Sequence, residues 1–128
     1  MFNLRKVWNL PKVHPLKTSQ DMLRPIIHDI LHFLIPALVA YFGFKENRLR
    51  VFLIMMATMA VDLDHLLADP IYDPSRCSIN FHPLHSYAAI GVYCILPFFS
   101  KLRLIGIGLL IHMALDFIDC VWMEWPNS

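Results

Sequence analysis

Histidine and aspartate recur at short spacings within the apolar parts of this 128-residue chain. His28 and His32 lie four residues apart, and so do His112 and Asp116, a spacing that places two side chains on one face of a helix. Imidazole and carboxylate groups bind divalent cations. The sequence therefore predicts a metal site whose candidate ligands are His28, His32, Asp62, Asp64, His65, His82, His85, His112 and Asp116.

The remaining spacings refine this prediction. Asp62 and His65 are three residues apart, as are His82 and His85. Asp64 points about 200° away from Asp62 on an ideal α-helix, so it must face a different neighbour or coordinate from the edge.

The composition indicates what must position these residues. Hydrophobic residues make up 57% of the chain and charged residues 16%, whereas soluble domains carry about 25% charged residues. The mean hydropathy is +0.51. The net charge of +1 does not indicate an anionic partner, and we expect no nucleic-acid partner.

Four apolar segments cover residues 26–44, 51–68, 83–99 and 102–122. Each has roughly 17 to 21 residues, near the minimum for crossing a hydrocarbon core of about 30 Å. Their outer positions offer no charged stripe for water. We predict an all-α membrane protein in which residues 25–128 form a four-transmembrane-helix up-down bundle, multi-pass in the cell (inner) membrane.

Alternating helix directions bring the histidines and aspartates to one end of this bundle. The other end has only the basic links 45–50 (KENRLR) and 100–103 (SKLR). Ionisable groups inside a membrane cost about 2.5 to 3.5 kcal/mol each on insertion scales, and clustered aspartates repel one another. Divalent cations would relieve both effects. The alternative is a set of buried His–Asp hydrogen bonds that closes the bundle.

Residues 1–24 and the cysteines carry less information. Residues 1–24 are basic, and Pro11 and Pro15 forbid one continuous helix. We expect an interfacial arm attracted to anionic lipid, with a disordered leader as the equal alternative, and we find no signal-peptide pattern.

The link 69–81 is expected to be an exposed loop. Cys77, Cys94 and Cys120 form no CxxC motif; Cys77 and Cys120 could pair or remain free thiols.

The number of ligands exceeds what one tetrahedral ion needs. We expect two or three ions, Zn first, with Mn, Fe or Ni compatible with the same donors. Multinuclear sites activate water and stabilise a displacement. Asp29 and Asp119 are the candidate catalytic carboxylates, as general base or as partners of a ligating histidine. Arg76 is a candidate for binding a substrate phosphate or a solvated loop charge.

The motifs VDLDH (61–65), HPLHS (82–86) and HMALD (112–116), with the early His28, resemble those of the membrane-bound metal-dependent hydrolases, an inner-membrane family that includes a LexA-regulated member. The resemblance covers residues 26–120. It implies a multi-pass hydrolase in which the matching motif positions are His28, Asp62, Asp64, His65, His82, His85, His112 and Asp116.

The expected function is a membrane metal-dependent hydrolase acting on a lipid-linked or headgroup phosphoester. Membrane lipid and a small-molecule or lipid substrate are the expected partners, and a homo-oligomer is compatible with the sequence. A membrane metal transporter or sensor is one alternative, although it would need polar residues throughout the bundle. A di-iron redox enzyme is another, although the two glutamates, Glu46 and Glu124, lie outside the cluster.

Overall fold

The computed structural model describes residues 19–124. Within that range the chain is all-helical, with 77% of the residues in helices and no strand. The α-helices are α1 (Ser19–Gly43), α2 (Arg48–Ala57), α3 (Tyr87–Ile95) and α4 (Arg103–Glu124). A 3-10 helix, Thr58–Leu67, continues α2, and the short 3-10 turns Pro83–His85 and Leu96–Phe98 flank α3.

Helix α1 begins at Ser19, ahead of the boundary expected at residue 25. The last part of the predicted interfacial arm is therefore helical. Helix α1 begins more than one turn earlier than expected. The rest of the arm, residues 1–18, lies outside the described residues. Pro25 and Pro36 fall inside α1 without interrupting it.

The second helical segment changes its winding at Thr58. The Thr58 hydroxyl donates a hydrogen bond of 2.5 Å to the carbonyl oxygen of Met55, a local bond that competes with regular α-helix pairing. Beyond it, the 3-10 helix has about three residues per turn, so side chains at positions i and i+3 eclipse. Asp62 and His65 therefore share one edge of this helix, and Asp64 lies on another.

Helix α4 is the central element, because it packs against α1, α2, α3 and the 3-10 helix Thr58–Leu67. Two buried apolar clusters lie along it: Ala40, Val51 and Met55 towards the basic links, and Val61, Tyr93 and Met113 towards the other end. Glycines permit the close approach: a Cβ on Gly108 would lie 2.9 Å from the Thr58 side chain. This packing sets α4 against the residues that follow Thr58.

Two of the helices are long and apolar enough to span a membrane, Met22–Gly43 and Arg103–Glu124. The apolar segment Tyr87–Phe98 is shorter. The second segment combines ten α-helical and ten 3-10 residues, which rise together by roughly 35 Å. The all-helical prediction is confirmed, and so is the presence of helices able to cross a membrane.

The loop between residues 68 and 82 is fastened to the helices. Cys77 forms a disulfide with Cys120 near the end of α4, which decides between the two expectations for these cysteines. Asn80, whose φ is 59°, adopts a left-handed conformation that asparagine tolerates, and its N–H donates to the carbonyl oxygen of His85. Cys94 is a free, exposed thiol on α3.

Candidate metal centre

The carboxylate of Asp116 lies between two pairs of histidines. Its Oδ1 is 3.2 Å from His28 Nε2 and 3.4 Å from His32 Nε2, both on α1. Its Oδ2 is 3.1 Å from His85 Nε2 and 3.4 Å from His112 Nε2. One side chain of α4 thus joins α1 on one side to the Pro83–His85 turn on the other.

Asp62 completes the second of these groups. Its Oδ1 is 3.3 Å from His85 Nε2 and 3.1 Å from His112 Nε2, and the two Nε2 atoms are 3.4 Å apart. Ligands about 2.0 to 2.1 Å from a tetrahedral ion are separated from one another by about 3.3 Å. The five distances that join His85 and His112 to each other and to Asp62 and Asp116, 3.1–3.4 Å, therefore match edges of a tetrahedral coordination sphere.

Four of these residues are almost completely removed from solvent: the exposed fraction is 0% for His85, 2% for His112, 3% for His32 and 4% for Asp116. The Asp62 side chain is 39% exposed. Three polar atoms of the four buried residues, His32 Nε2, His112 Nδ1 and Asp116 Oδ2, have no hydrogen-bond partner within residues 19–124. His32 Nε2 and Asp116 Oδ2 each lie 3.4 Å from an oppositely polar atom. Atoms that are close together without hydrogen-bond alignment are expected when their lone pairs point to a common centre. A cation at that centre would remove the cost of leaving them unpaired.

Asp64 contacts the same histidine as Asp62 but at its other ring nitrogen, Nδ1 of His85 rather than Nε2. Its Oδ2 accepts hydrogen bonds from the Leu84 N–H, at 2.8 Å, and from His85 Nδ1, at 3.0 Å. Its Oδ1 lies 3.1 Å from His65 Nδ1. Asp64, His65 and His85 also lie close enough together to hold an ion. However, a carboxylate that binds Nδ1–H fixes the histidine tautomer and frees Nε2 for a metal, which describes how Asp64 holds His85.

His65 and His82 lie at the edge of the centre. His65 Nε2 is 3.2 Å from the Ser78 hydroxyl, and the His82 ring lies on the His65 ring with centroids 3.8 Å apart. Burial, with the nearby His65, lowers the pKa of His82. Within residues 19–124, His82 belongs to none of the three groups close enough to hold an ion.

The two candidate catalytic carboxylates have different surroundings. Asp119 Oδ2 accepts a hydrogen bond of 2.7 Å from Arg24 Nη1, and the second guanidinium nitrogen of Arg24 donates to the carbonyl oxygen of Pro74. Asp29 is exposed, and it lines the same cavity of about 280 Å³ as His28. Asp29 is thus the carboxylate with solvent access beside the centre.

Arg24 is a residue that the sequence analysis assigned to the arm and missed as part of the site. It lies four residues before His28 on α1, and it lines the cavity. The continuation of the His28–His32 spacing was the available signal, but it required α1 to start earlier than expected. Arg24 lies about 6 Å along the helix from the His28 level.

Arg76 also lines the cavity, but its guanidinium is held by the loop. Nη2 donates to the carbonyl oxygens of Pro70, at 2.8 Å, and Ile71, at 3.2 Å. The guanidinium carbon lies 4.6 Å from the centre of the Phe81 ring. These contacts give Arg76 a role in holding the loop around the cavity.

The comparisons with known proteins identify a family without assigning an activity. The chain matches the family of unknown function DUF6122 over residues 22–123. No curated protein matches it, and no solved structure does. The match includes every residue of the metal centre described above, and the protein belongs to the DUF6122 family.

Proposed function

We propose that this protein is an integral-membrane metal-dependent hydrolase that holds two divalent ions and cleaves a phosphoester in a lipid headgroup or a lipid-linked substrate. The observation that carries the proposal is the Asp116 carboxylate, whose two oxygens lie 3.1–3.4 Å from two separate histidine pairs. Two-ion hydrolytic sites hold their ions about 3.5–4 Å apart, a spacing that the two oxygens of one carboxylate can bridge.

The ligands divide between the two ions. One ion takes His28, His32 and Asp116 Oδ1, and the other takes Asp62, His85, His112 and Asp116 Oδ2. Zn²⁺ is the first expectation for nitrogen and oxygen donors, and Mn, Fe and Ni accept the same set. We assign Asp64 and His65 to positioning rather than to a third ion, because Asp64 already accepts three hydrogen bonds.

The first group has three protein ligands, which leaves the open position that catalytic zinc sites keep for water or substrate. Bound ions supply a hydroxide nucleophile and hold the substrate oxygens during displacement. Asp29, exposed on the cavity wall, accepts the proton from the attacking water. Asp119 holds the Arg24 guanidinium about one helical turn on the N-terminal side of His28. This guanidinium has further donors that can bind a phosphate oxygen of the substrate.

The surface around this site favours an amphiphilic substrate. The cavity wall includes Ile71 and Tyr72, which are 56% and 66% exposed, and Leu66 and Leu67 beside it are 62% and 79% exposed. Apolar side chains also point outward along the candidate spans. We infer that these surfaces contact lipid and that the cavity opens at the headgroup level, where an acyl or prenyl chain can remain in the bilayer.

The opposite end of the bundle weighs against a transport path. Among the described residues, the buried cluster there consists of Ala40, Val51 and Met55. These side chains offer no coordinating atom for a cation leaving the metal centre, apart from the weak thioether of methionine. A binding and reaction site at one end agrees better with this distribution than a conduit does.

The test combines metal analysis with hydrolysis by the full chain purified in detergent under metal-replete conditions. We expect about two ions per chain and metal-dependent cleavage of a phosphomonoester, a phosphodiester or a phospholipid, lost with a chelator and restored by Zn²⁺ or Mn²⁺. The Asp116→Asn variant should lose both properties, and the Asp69→Asn variant, altered at an exposed loop acid, should keep them.

Three results would contradict the proposal. A metal-free protein would favour a centre closed by its own hydrogen bonds. Bound ions with no hydrolysis of any of these esters would favour a transporter or sensor. A visible absorption spectrum that changes with reductant, together with no hydrolysis of any of these esters, would favour a redox enzyme, because Zn²⁺ has no redox chemistry.

A further inference from the structure

The Cys77–Cys120 disulfide joins the loop beside the cavity to the end of α4. The two residues are 43 positions apart in sequence, with Cα atoms 5.0 Å apart. Cys120 is 7% exposed and directly follows Asp119, the partner of Arg24. The covalent link therefore lies at the same end of the bundle as the metal centre.

Several noncovalent contacts fasten the same loop at this end. Arg24 joins Asp119 on α4 to the Pro74 carbonyl oxygen of the loop. Ser78, next to Cys77, contacts His65. Breaking the disulfide would remove the covalent link between the loop and α4, so the bond is an integral part of the wall around the site.

A stable disulfide limits the compartment in which this loop can lie. Forming the bond removes two protons and two electrons from the thiols. A disulfide of an oxidising protein takes them up by thiol–disulfide exchange and becomes a dithiol. Such oxidants act in extracellular, periplasmic and comparable spaces, whereas cytosolic glutathione and thioredoxin keep thiols reduced.

The basic residues do not set the orientation by themselves, because six of the eleven lysines and arginines precede α1 or lie at the site end and five lie in the opposite links. Five lie in the short links at the opposite end: Lys45, Arg48, Arg50, Lys101 and Arg103. Two lie at the site end, Arg24 and Arg76, and both are engaged in hydrogen bonds. Four further basic residues lie in residues 1–18, outside the described part of the chain.

We propose that the metal centre opens on the oxidising, non-cytoplasmic side of its membrane and takes its substrate from that leaflet. The substrate class is then an amphiphile whose phosphoester headgroup is exposed in the non-cytoplasmic leaflet. This inference rests on the proposed membrane hydrolase and adds the side of the membrane from which the substrate reaches its metal centre.

The first test counts thiols in intact cells that express the full chain. Thiols are blocked by acid quenching and N-ethylmaleimide, the protein is denatured and reduced, and newly freed thiols are labelled with a maleimide polymer that shifts the band on a gel. We expect two labelled cysteines, because only Cys94 is free in the cell. The Cys77→Ser variant should show none. Absence of label on the unsubstituted chain would overturn the inference.

The second test measures sidedness while the native disulfide is kept. In a Cys94→Ser background, a single thiol is introduced by Ser75→Cys in the loop or by Asn47→Cys in the opposite link, both exposed positions. A membrane-impermeant maleimide should label the Ser75→Cys variant in intact cells, and the Asn47→Cys variant only after permeabilisation. The reverse pattern would overturn the inference.

The two proposals fail in different ways. Reversed labelling in a protein that still hydrolyses its ester removes only the inference on sidedness. Release of the chain from membranes by an alkaline wash removes the membrane hydrolase and the sidedness with it. Oxidised cysteines, correct sidedness and no hydrolysis would remove the proposed reaction and leave the orientation of the metal centre standing.

Discussion

The two ends of the helical bundle are held together by different interactions. At the end with the basic links, α1, α2 and α4 meet through the apolar side chains Ala40, Val51 and Met55. At the other end α1 and α4 meet the Thr58–Leu67 helix and the Pro83–His85 turn through imidazoles and carboxylates centred on Asp116. Apolar packing needs no partner to be stable, whereas buried carboxylates need balancing charge. The comparison therefore predicts that removing metal disturbs the end with the histidines and aspartates and leaves the end with the basic links unchanged.

The largest expected effect follows from Asp116→Asn, which should reduce the bound metal from about two ions per chain to nearly none. The amide keeps the size of the side chain but removes the charge that both groups share. Metal analysis after gel filtration measures the result. Retention of both ions would show that Asp116 does not bridge them.

His32→Ala and His112→Ala should each remove about half of the metal, because each histidine belongs to only one group. Metal analysis of the two single variants and of the double variant would show whether the losses add. A loss of all metal from either single variant would mean that the two ions bind as one unit rather than at separable positions.

Asp64→Asn should lower metal affinity without lowering the number of ions at saturation. The acid orients His85 through its Nδ1, and changes to such partners of ligating histidines typically cost about 10- to 100-fold in affinity. Competition with a chromophoric chelator measures the affinity. A permanent loss of one ion in excess metal would make Asp64 a ligand.

Gly106→Ala should destabilise the end with the basic links and leave metal content unchanged. A Cβ there would lie 2.6 Å from Pro97 Cδ and 2.7 Å from Leu96 Cβ, and overpacking of this kind costs roughly 1–3 kcal/mol. Thermal unfolding in detergent measures the change. Gly91→Ala is the matched control, since nothing lies within 4 Å of its added Cβ.

The smallest expected effect is that of Arg48→Ala. The Arg48 guanidinium carbon lies 4.3 Å from the centre of the Tyr41 ring, and an exposed cation–π contact contributes about 0.5–1 kcal/mol. The melting temperature should fall slightly, with the number of bound ions unchanged. A change in metal binding would show that the two ends are coupled more strongly than their separate packing indicates.

Spacing within one helix carried much of the prediction of the centre. The four-residue spacings placed His28 with His32 and His112 with Asp116, and the short basic links brought the polar ends of the segments together. Periodicity could not locate the change from α-helix to 3-10 helix, because that depends on the Thr58 hydroxyl and on close contact with Gly108. Arg24 was missed because it was assigned to the basic arm, ahead of the apolar segment expected from residue 26, whereas α1 begins at Ser19.

Other roles depended on contacts between distant parts of the chain. The sequence left the pairing of Cys77 with Cys120 open, since nothing local brings residues 43 positions apart together. It also could not tell that Arg76 would be held by the Pro70 and Ile71 carbonyl oxygens. Such backbone partners depend on the path of the loop, and the loop sequence has no periodicity from which that path could be predicted.

The winding of the Thr58–Leu67 helix makes the register of its acidic run intolerant of length changes. At three residues per turn, one inserted residue before Asp62 would rotate every following side chain by about 120° and advance it by about 2.0 Å. Asp64 and His65 would then each move round to a different neighbour, and Asp62 would no longer face His112. Single-residue deletions and insertions in this helix should therefore abolish the metal centre, whereas changes of the same length in the exposed link at residues 45–47 should be tolerated.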